Sequence, residues 1–474
     1  MSAAAHKPVV SRSQIVAFTI GDLGIHVPFM STVLFLMYFY TEVVGLSAAT
    51  AGLMFMIASI WDALIDPPMG LITDRTRSRW GRCRPYFLFG CVPLAISLVL
   101  VFYVPPLHGG ALVAYLLGAN MLFRTCFTIV GIPYAAYSAR ITQDSQTRTT
   151  IAGYKLFFTI GAGSLVAYFA LPLANHFGEG NLARGFYWTA MVFAVAPLVF
   201  LPVTFLGTRE PAQAGPQPAS LTMKDYLAFF RSNLAFWIVL ACITCVIATQ
   251  VIGSAVTLYF FKYYLRDETS APLALTLSMV VGLVITPLWV LMERRVGKRS
   301  AWMFGSLGAL GVLTYFALND SISSIQYVVV VTLLNGSLYG LTVTMWSMLP
   351  DTIEYGEWRS GVRAESITFG LALFVLKVAM GIATGIFGFA LNAIGFQPGI
   401  AQSAATLADM KMLATAFPAL LVALSLVAAH LYPMRRGDHE RIVEQLAARK
   451  SGSVQRAIPL ATTGQPGHLI HTRG

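Results

Sequence analysis

Apolar residues in this chain fall into long unbroken runs, not into the alternation of a half-buried strand. The runs cover about residues 16–40, 48–73, 85–104, 111–138, 149–175 and 185–206, then about 234–261, 271–292, 301–318, 324–349, 365–394 and 408–431. A bilayer core takes about 20 apolar residues per helical crossing. Each run therefore serves for one span, and their continuity excludes an outer-membrane barrel, whose strands alternate. The interval GTREPAQAGPQPASLTMKDYLAFFRSN reads as a linker followed by a short amphipathic piece. The pattern predicts an all-α membrane protein with twelve spans in two six-helix bundles, 1–206 and 234–431, a linker at 207–233 and a tail at 432–474. Within the tail, YPMRRGDHERIVEQLAARKSG suits a short surface helix, and the remainder has the composition of a disordered segment.

Composition agrees: 474 residues, 56% hydrophobic and only 11% charged, where soluble proteins carry about a quarter. The net charge of +11 would point to nucleic acid in a soluble chain, but no nucleic-acid motif accompanies it. Arg75, Arg77, Arg79, Arg82, Arg84, Arg140, Arg148, Arg294, Arg295, Lys298, Arg299, Arg359 and Arg363 fall in alternate loops, with little beyond Arg184, Lys262, Arg266 and Lys411 in the others. By the positive-inside rule the basic loops and both termini are cytoplasmic, which predicts a multi-pass membrane protein. The start MSAAAHKPVVSRSQ lacks a short apolar core with a small-residue cleavage site, so the first helix is expected to be retained. Cys242 and Cys245 form a C-x-x-C, but in an apolar stretch without nearby histidine, which argues against a redox or metal role.

The basic loops repeat. The second run ends GLITDRTRSRWGRCRP and the eighth, in the matching position, LMERRVGKRS. A glycine, Gly70, followed at Asp74 and Arg75 by Asp-Arg and further arginines resembles the loop signature of the major facilitator superfamily. That resemblance implies two halves rocking about a midplane site to give alternating access.

Ionisable groups deep in a membrane cost roughly 2.5–3.5 kcal/mol on insertion scales and mark functional sites by default. In SIWDALIDPPMG, Asp62 and Asp66 share one helix face, and two carboxylates at low dielectric call for a neutralising cation or a shared proton. The alternative is pairing with a Lys or Arg purely for packing. Pro67 and Pro68 are expected to loosen this helix and free carbonyl ligands. Arg124 and Thr128 lie one turn apart on the fourth helix, before a Gly131/Pro133 break, with Arg124 either a substrate anchor or a charge partner for an aspartate. Asp22 and His26 are four apart on the first helix. Lys155 either faces the cavity or snorkels to the surface, whereas Lys377, deep in its run, should face the cavity, held charged by an acidic partner or by substrate. Trp61, Tyr134, Tyr137 and Trp346 stand at similar depth, where packing competes with stacking on a sugar.

MYFYTEVVGLS, WDALIDPPMGLITDRTRSRWGRCRPY and DTIEYGEWRSGVRAESI resemble the glycoside–pentoside–hexuronide:cation symporter family over nearly all twelve helices. The resemblance implies a major facilitator fold and cation-coupled uptake across the cytoplasmic (inner) membrane. It places the coupling cation, Na⁺ or H⁺, at Asp62, Asp66 and Thr128, and Lys377 at the central cavity. Gating contacts are implied at Asp351, Tyr355, Arg363 and Glu365, and at Asp74 and Arg75 in the signature loop. An amide found in some members before the second aspartate is Ile65 here; losing that oxygen should weaken Na⁺ coordination more than protonation, which leans the reading to H⁺.

The acidic helix-one residue that grips galactoside hydroxyls in the family aligns with His26, its helix-four partner with Gly131, and a helix-five arginine near Leu156. A site without those groups should reject galactosides. With His26, Arg124, Lys155 and Lys377 present, an anionic or zwitterionic ligand becomes credible, and Asp22, His26, Arg124, Tyr134, Lys155, Trp346 and Lys377 are the candidate substrate contacts.

The expectation is a secondary active symporter, driven by H⁺ or Na⁺, importing a glycoside, oligosaccharide or uronide. It is expected to bind a small molecule in a lipid bilayer without cofactor and to work as a monomer. Alternatives are symport of a carboxylate or lysolipid-like amphiphile, efflux by antiport, or a membrane enzyme or receptor. Against an enzyme stands the lack of a nucleophile elbow, an H-E-x-x-H or a phosphate loop.

Overall fold

The computed structural model describes residues 11–142, 145–209 and 223–450. Twelve helices in it are long and apolar enough to cross a membrane. They are α1 Arg12–Val43, α2 Ala48–Arg75, α3 Arg84–Val101, α4 Gly110–Arg140, α5 Ser145–Gly178, α6 Leu182–Gly207, α7 Leu234–Tyr264, α8 Ala271–Val296, α9 Lys298–Leu318, α10 Ser324–Ser360, α11 Glu365–Ala393 and α12 Ala404–His430. Several begin at a polar residue that caps them. Ser47 accepts from the Thr50 amide, Asn181 from Arg184 and Asn233 from Phe236, and Ser323 forms a capping box with Gln326; such caps satisfy amides that a helix start leaves open. The amphipathic piece of the linker is a helix, Met223–Ser232, and the tail forms another, Asp438–Lys450. The rest of the linker, 210–222, and the tail segment 451–474 lie outside the described residues.

The two halves repeat one packing scheme. α1 packs on α5 and α6, α2 on α4, and α3 on α4 and α6; α7 packs on α11 and α12, α8 on α10, and α9 on α10 and α12. The halves meet where α2 lies along α11 and α5 along α8. The first contact is very close: a Cβ on Gly52 would stand 3.0 Å from the Thr384 carbonyl and 3.1 Å from Gly388. Small residues are what let helices approach so nearly in a membrane.

Two expectations about backbone breaks are corrected. α2 runs unbroken through Pro67 and Pro68, and α4 through Gly131 and Pro133. The irregular backbone lies instead at the ends of α1 and α7, where Phe39–Val43 and Phe260–Tyr264 form π-helical turns. In each half a Tyr-Phe pair (Tyr38-Phe39, Tyr259-Phe260) is followed at equal spacing by a left-handed residue, Gly45 at φ 80° and Arg266 at φ 56°. A non-glycine residue adopts that conformation at a cost, so Arg266 preserves the repeat without the residue that makes it easy.

Candidate functional site

Two clusters of opposite charges lie at membrane depth. In the first, Asp62 and Asp66 project from one face of α2 toward α4 and α11. The Thr128 hydroxyl is placed to donate to Asp62 Oδ1 at 2.8 Å or Asp66 Oδ1 at 3.0 Å. Lys377 Nζ, from the other half, sits 2.6 Å from Asp66 Oδ2 and 3.1 Å from Asp62 Oδ1. Arg124 Nη1 reaches Asp62 Oδ2 at 3.4 Å, its guanidinium 5.0 Å from the Phe55 ring centre. Asp62 is 0% and Arg124 1% exposed; burial at that level is tolerable only because each charge has a partner. The ligands around the aspartates are thus side chains, in place of the carbonyls expected from Pro67 and Pro68. Among the described residues no three His, Cys, Asp or Glu side chains converge on one point, so a metal ion here would draw on two carboxylates and a hydroxyl.

Of the two readings of Arg124, the geometry shows the charge partner: it faces Asp62, is buried and does not line the large cavity. Lys377 is held by both aspartates, as its depth required.

The second cluster belongs wholly to the first half. Asp22 accepts a hydrogen bond from the Tyr134 hydroxyl at 3.0 Å through Oδ2, and its Oδ1 lies 4.0 Å from Lys155 Nζ and 3.4 Å from His26 Nδ1. His26 Nδ1 also meets the Asp22 carbonyl at 3.0 Å. Lys155 does not snorkel: it points inward, 4.5 Å above the Tyr134 ring. Asp22, His26 and Lys155 border a cavity of about 980 Å³ that also touches Ser138, Arg148 and, from the second half, Trp346 and Leu373. Because Ser138 and Arg148 flank the connection between α4 and α5, the cavity reaches the end of the molecule that carries the basic loops. Its size is at the upper end for small-molecule sites.

The other aromatics divide. Tyr137 is buried and donates to the Arg209 carbonyl at 3.0 Å, a packing role. Trp61 is 40% exposed and donates to Thr125, off the cavity.

At the basic-loop end four of the residues singled out for gating, Asp74, Asp351, Arg363 and Glu365, form ion pairs inside one half. Asp74 meets Arg140 at 2.8 Å, while Arg75 is exposed. Asp351 meets Lys298 at 2.7 Å and also His439 of the tail helix, which in turn bonds Glu354. Arg363 holds Glu357 and Glu365 at 2.9 and 3.2 Å, and the Glu357 hydrogen bond raises the guanidinium above its ordinary range. Tyr355 is largely buried beside Trp358.

Contacts between the halves gather instead at the opposite end, on residues that sequence reasoning did not select. Lys262 and Tyr263 both donate to Glu42 at 2.5 Å, Tyr38 donates to Glu268 at 2.7 Å, and Thr41 and Tyr259 share a bond of 2.8 Å. The available signal was the Tyr-Phe repeat at the ends of α1 and α7, which places these groups face to face.

The family model described as MFS/sugar transport protein matches residues 17–436. The isoprimeverose transporter of Lactiplantibacillus pentosus is 32% identical over 451 residues, covering 93% of this chain and 92% of its own. The glucuronide carrier protein homolog of Escherichia coli (strain K12) is 28% identical, covering 92% and 95% respectively. Among solved structures, a bacterial homologue of the human lysosomal transporter Spinster, in an inward-facing and unoccupied conformation, superposes with TM-score 0.63 over 92% of this chain and 99% of its own, at 14% identity. That likeness speaks to the fold alone.

Proposed function

The chain belongs to the MFS/sugar transport protein family, the glycoside–pentoside–hexuronide:cation symporter branch of the major facilitator superfamily, and from that membership we propose that it is a cation-coupled symporter of a sugar-type substrate. It is a multi-pass membrane transporter and not an enzyme. With the basic loops and termini cytoplasmic, the cavity opens inward and the Glu42–Lys262 contacts close the far side.

The observation that carries the reading is the reach of Lys377 across the interface between halves. Asp62 and Asp66 belong to α2 and Lys377 to α11, so the ion pairs of 2.6 and 3.1 Å tie one half to the other. A proton or Na⁺ arriving at Asp66 competes with the ammonium for the same oxygens. Binding the cation therefore changes how strongly the halves hold together, which is what coupling requires. The proton is favoured because Ile65 offers no oxygen to complete a Na⁺ shell, whereas protonation needs none. The substrate enters the cavity bordered by Asp22, His26, Lys155 and Trp346, and one monomer contains the whole path.

Purified protein in proteoliposomes tests this directly. Uptake of a labelled glycoside should be concentrative with an inward proton gradient and indifferent to Na⁺ at fixed pH. Strict Na⁺ dependence would reassign the ion, and uptake that only equilibrates under either gradient would remove the symport reading.

A further inference from the structure

From the sequence, four basic groups at membrane depth made an anionic substrate credible: His26, Arg124, Lys155 and Lys377. In the structure each already faces a carboxylate. Arg124 is 3.4 Å from Asp62, Lys377 is 2.6 Å from Asp66, and both Lys155, at 4.0 Å, and His26, at 3.4 Å, face Asp22. The charges of Arg124, Lys155 and Lys377 are matched by Asp22, Asp62 and Asp66 before any substrate arrives. Arg148, also on the cavity lining, is exposed at the mouth and donates to the Thr142 carbonyl. Among the described residues no surplus of positive charge waits at the inner wall.

One atom there is left over. Asp22 is 0% exposed, and its Oδ1 has no hydrogen-bond partner, an expensive state for a buried acceptor. The nearest cation, Lys155 Nζ, stands off at 4.0 Å, beyond hydrogen-bond length. An oxygen placed about 2.8 Å from one atom and 2.9 Å from the other, with a near right angle between the two bonds, spans a gap of about 4 Å. Small adjustments of Lys155, whose side chain is 24% exposed, would admit that oxygen from the cavity. A hydroxyl suits both sides, because it donates to the carboxylate while accepting from the ammonium. A carboxylate or sulfonate only accepts, so at this point it would oppose Asp22 instead of completing it. Trp346, on the second half and 39% exposed, lends an aromatic face to the same cavity, suited to the C–H face of a sugar ring.

We infer that Asp22 and Lys155 form a hydroxyl-reading pair, oriented by Tyr134 and His26, which selects an uncharged glycoside over a uronide. The inference rests on the transporter reading above and names the substrate class for its cavity. It also moves recognition away from His26, Gly131 and Leu156, the positions the family resemblance assigned, to neighbours on α1 and α5.

Exchange in proteoliposomes with equal cation concentrations on both sides isolates binding from coupling. Methyl β-D-glucoside, methyl β-D-xyloside and methyl β-D-glucuronide are compared as competitors of whichever labelled neutral or uronide glycoside exchanges fastest. Wild-type protein should prefer a neutral glycoside over the glucuronide by at least about tenfold. Asp22→Asn, nearly isosteric, should weaken neutral competition about tenfold or more, in line with loss of a hydrogen bond to a charged group. By leaving Lys155 unopposed it should also narrow or reverse the discrimination against glucuronide. Lys155→Met, on the cavity side of the pair, should weaken neutral binding without improving glucuronide.

Glucuronide competing as well as the neutral sugars in wild type would overturn the inference. So would neutral affinity within about twofold of wild type in both variants. If Asp22→Asn exchanged normally but no longer accumulated substrate, Asp22 would be a coupling group, leaving symport standing and this pair refuted. Absence of exchange with every sugar would instead remove the sugar-transport reading, and the pair with it.

Discussion

The two charge clusters use similar parts to different ends. Each sets an aspartate against a second polar group four residues along one helix, Asp62 with Asp66 and Asp22 with His26, and each brings in a lysine from the fifth helix of a half. The difference is which half. Lys377 comes from across the interface, so its distances to Asp62 and Asp66 change whenever the halves move apart. Lys155 comes from the same half as Asp22, so a movement of one half against the other would leave that pair intact. On the reading proposed above, the first arrangement would convert ion occupancy into interface energy, and the second would present the same surface to substrate from either side. Position relative to the interface, more than residue type, is then what would separate coupling from recognition.

The largest expected effect breaks the first cluster at its base. Asp62→Ala leaves the fully buried Arg124 without its carboxylate, and removal of one partner of a buried pair costs about 3–5 kcal/mol. Thermal unfolding of the detergent-solubilised protein should report a marked loss of stability, far above that of Asp22→Asn. Equal stability of the two variants would erase the structural distinction between clusters.

Asp66→Asn is milder, because Asp66 is only partly buried and Lys377 retains Asp62. Concentrative uptake should vanish while exchange at equal cation concentrations stays within about twofold of wild type, as expected for sites that share no partner. A parallel fall in substrate affinity would show that the clusters are not separable.

The smallest effect sharpens the ion assignment. Ile65→Asn supplies an amide oxygen beside the aspartates and should bring a measurable Na⁺ stimulation of uptake at fixed pH, where wild type shows none. Substrate preference should not move. Unchanged Na⁺ response would mean that position 65 cannot reach the bound ion.

Much of this was legible in the chain itself. Spans were readable because a bilayer admits few alternatives to a long apolar helix, and α2 was readable as a candidate coupling helix because two aspartates on one face at that depth call for a cation, a shared proton or basic partners. The prolines misled because helices in a membrane tolerate them when neighbours compensate. Lys155 was ambiguous because a lysine near a helix end snorkels or turns inward according to what stands opposite, and Asp22 and Tyr134 are remote in sequence. The far-side closure escaped because Glu42 and Lys262 look like ordinary loop-edge charges until α1 and α7 are brought together.

The sequence by itself determined the number of membrane spans, their approximate positions, the internal repeat and the identity of the ionisable groups in the membrane, since each depends on local hydrophobicity and spacing. Only the tertiary structure decided which base neutralises which acid. It put Arg124 and Lys377 on Asp62 and Asp66, put Lys155 on Asp22, and so cancelled the basic surplus that had suggested an anionic substrate. Charge counts are additive along a chain, but electrostatic energy depends on distance, and distance between helices is set by packing alone.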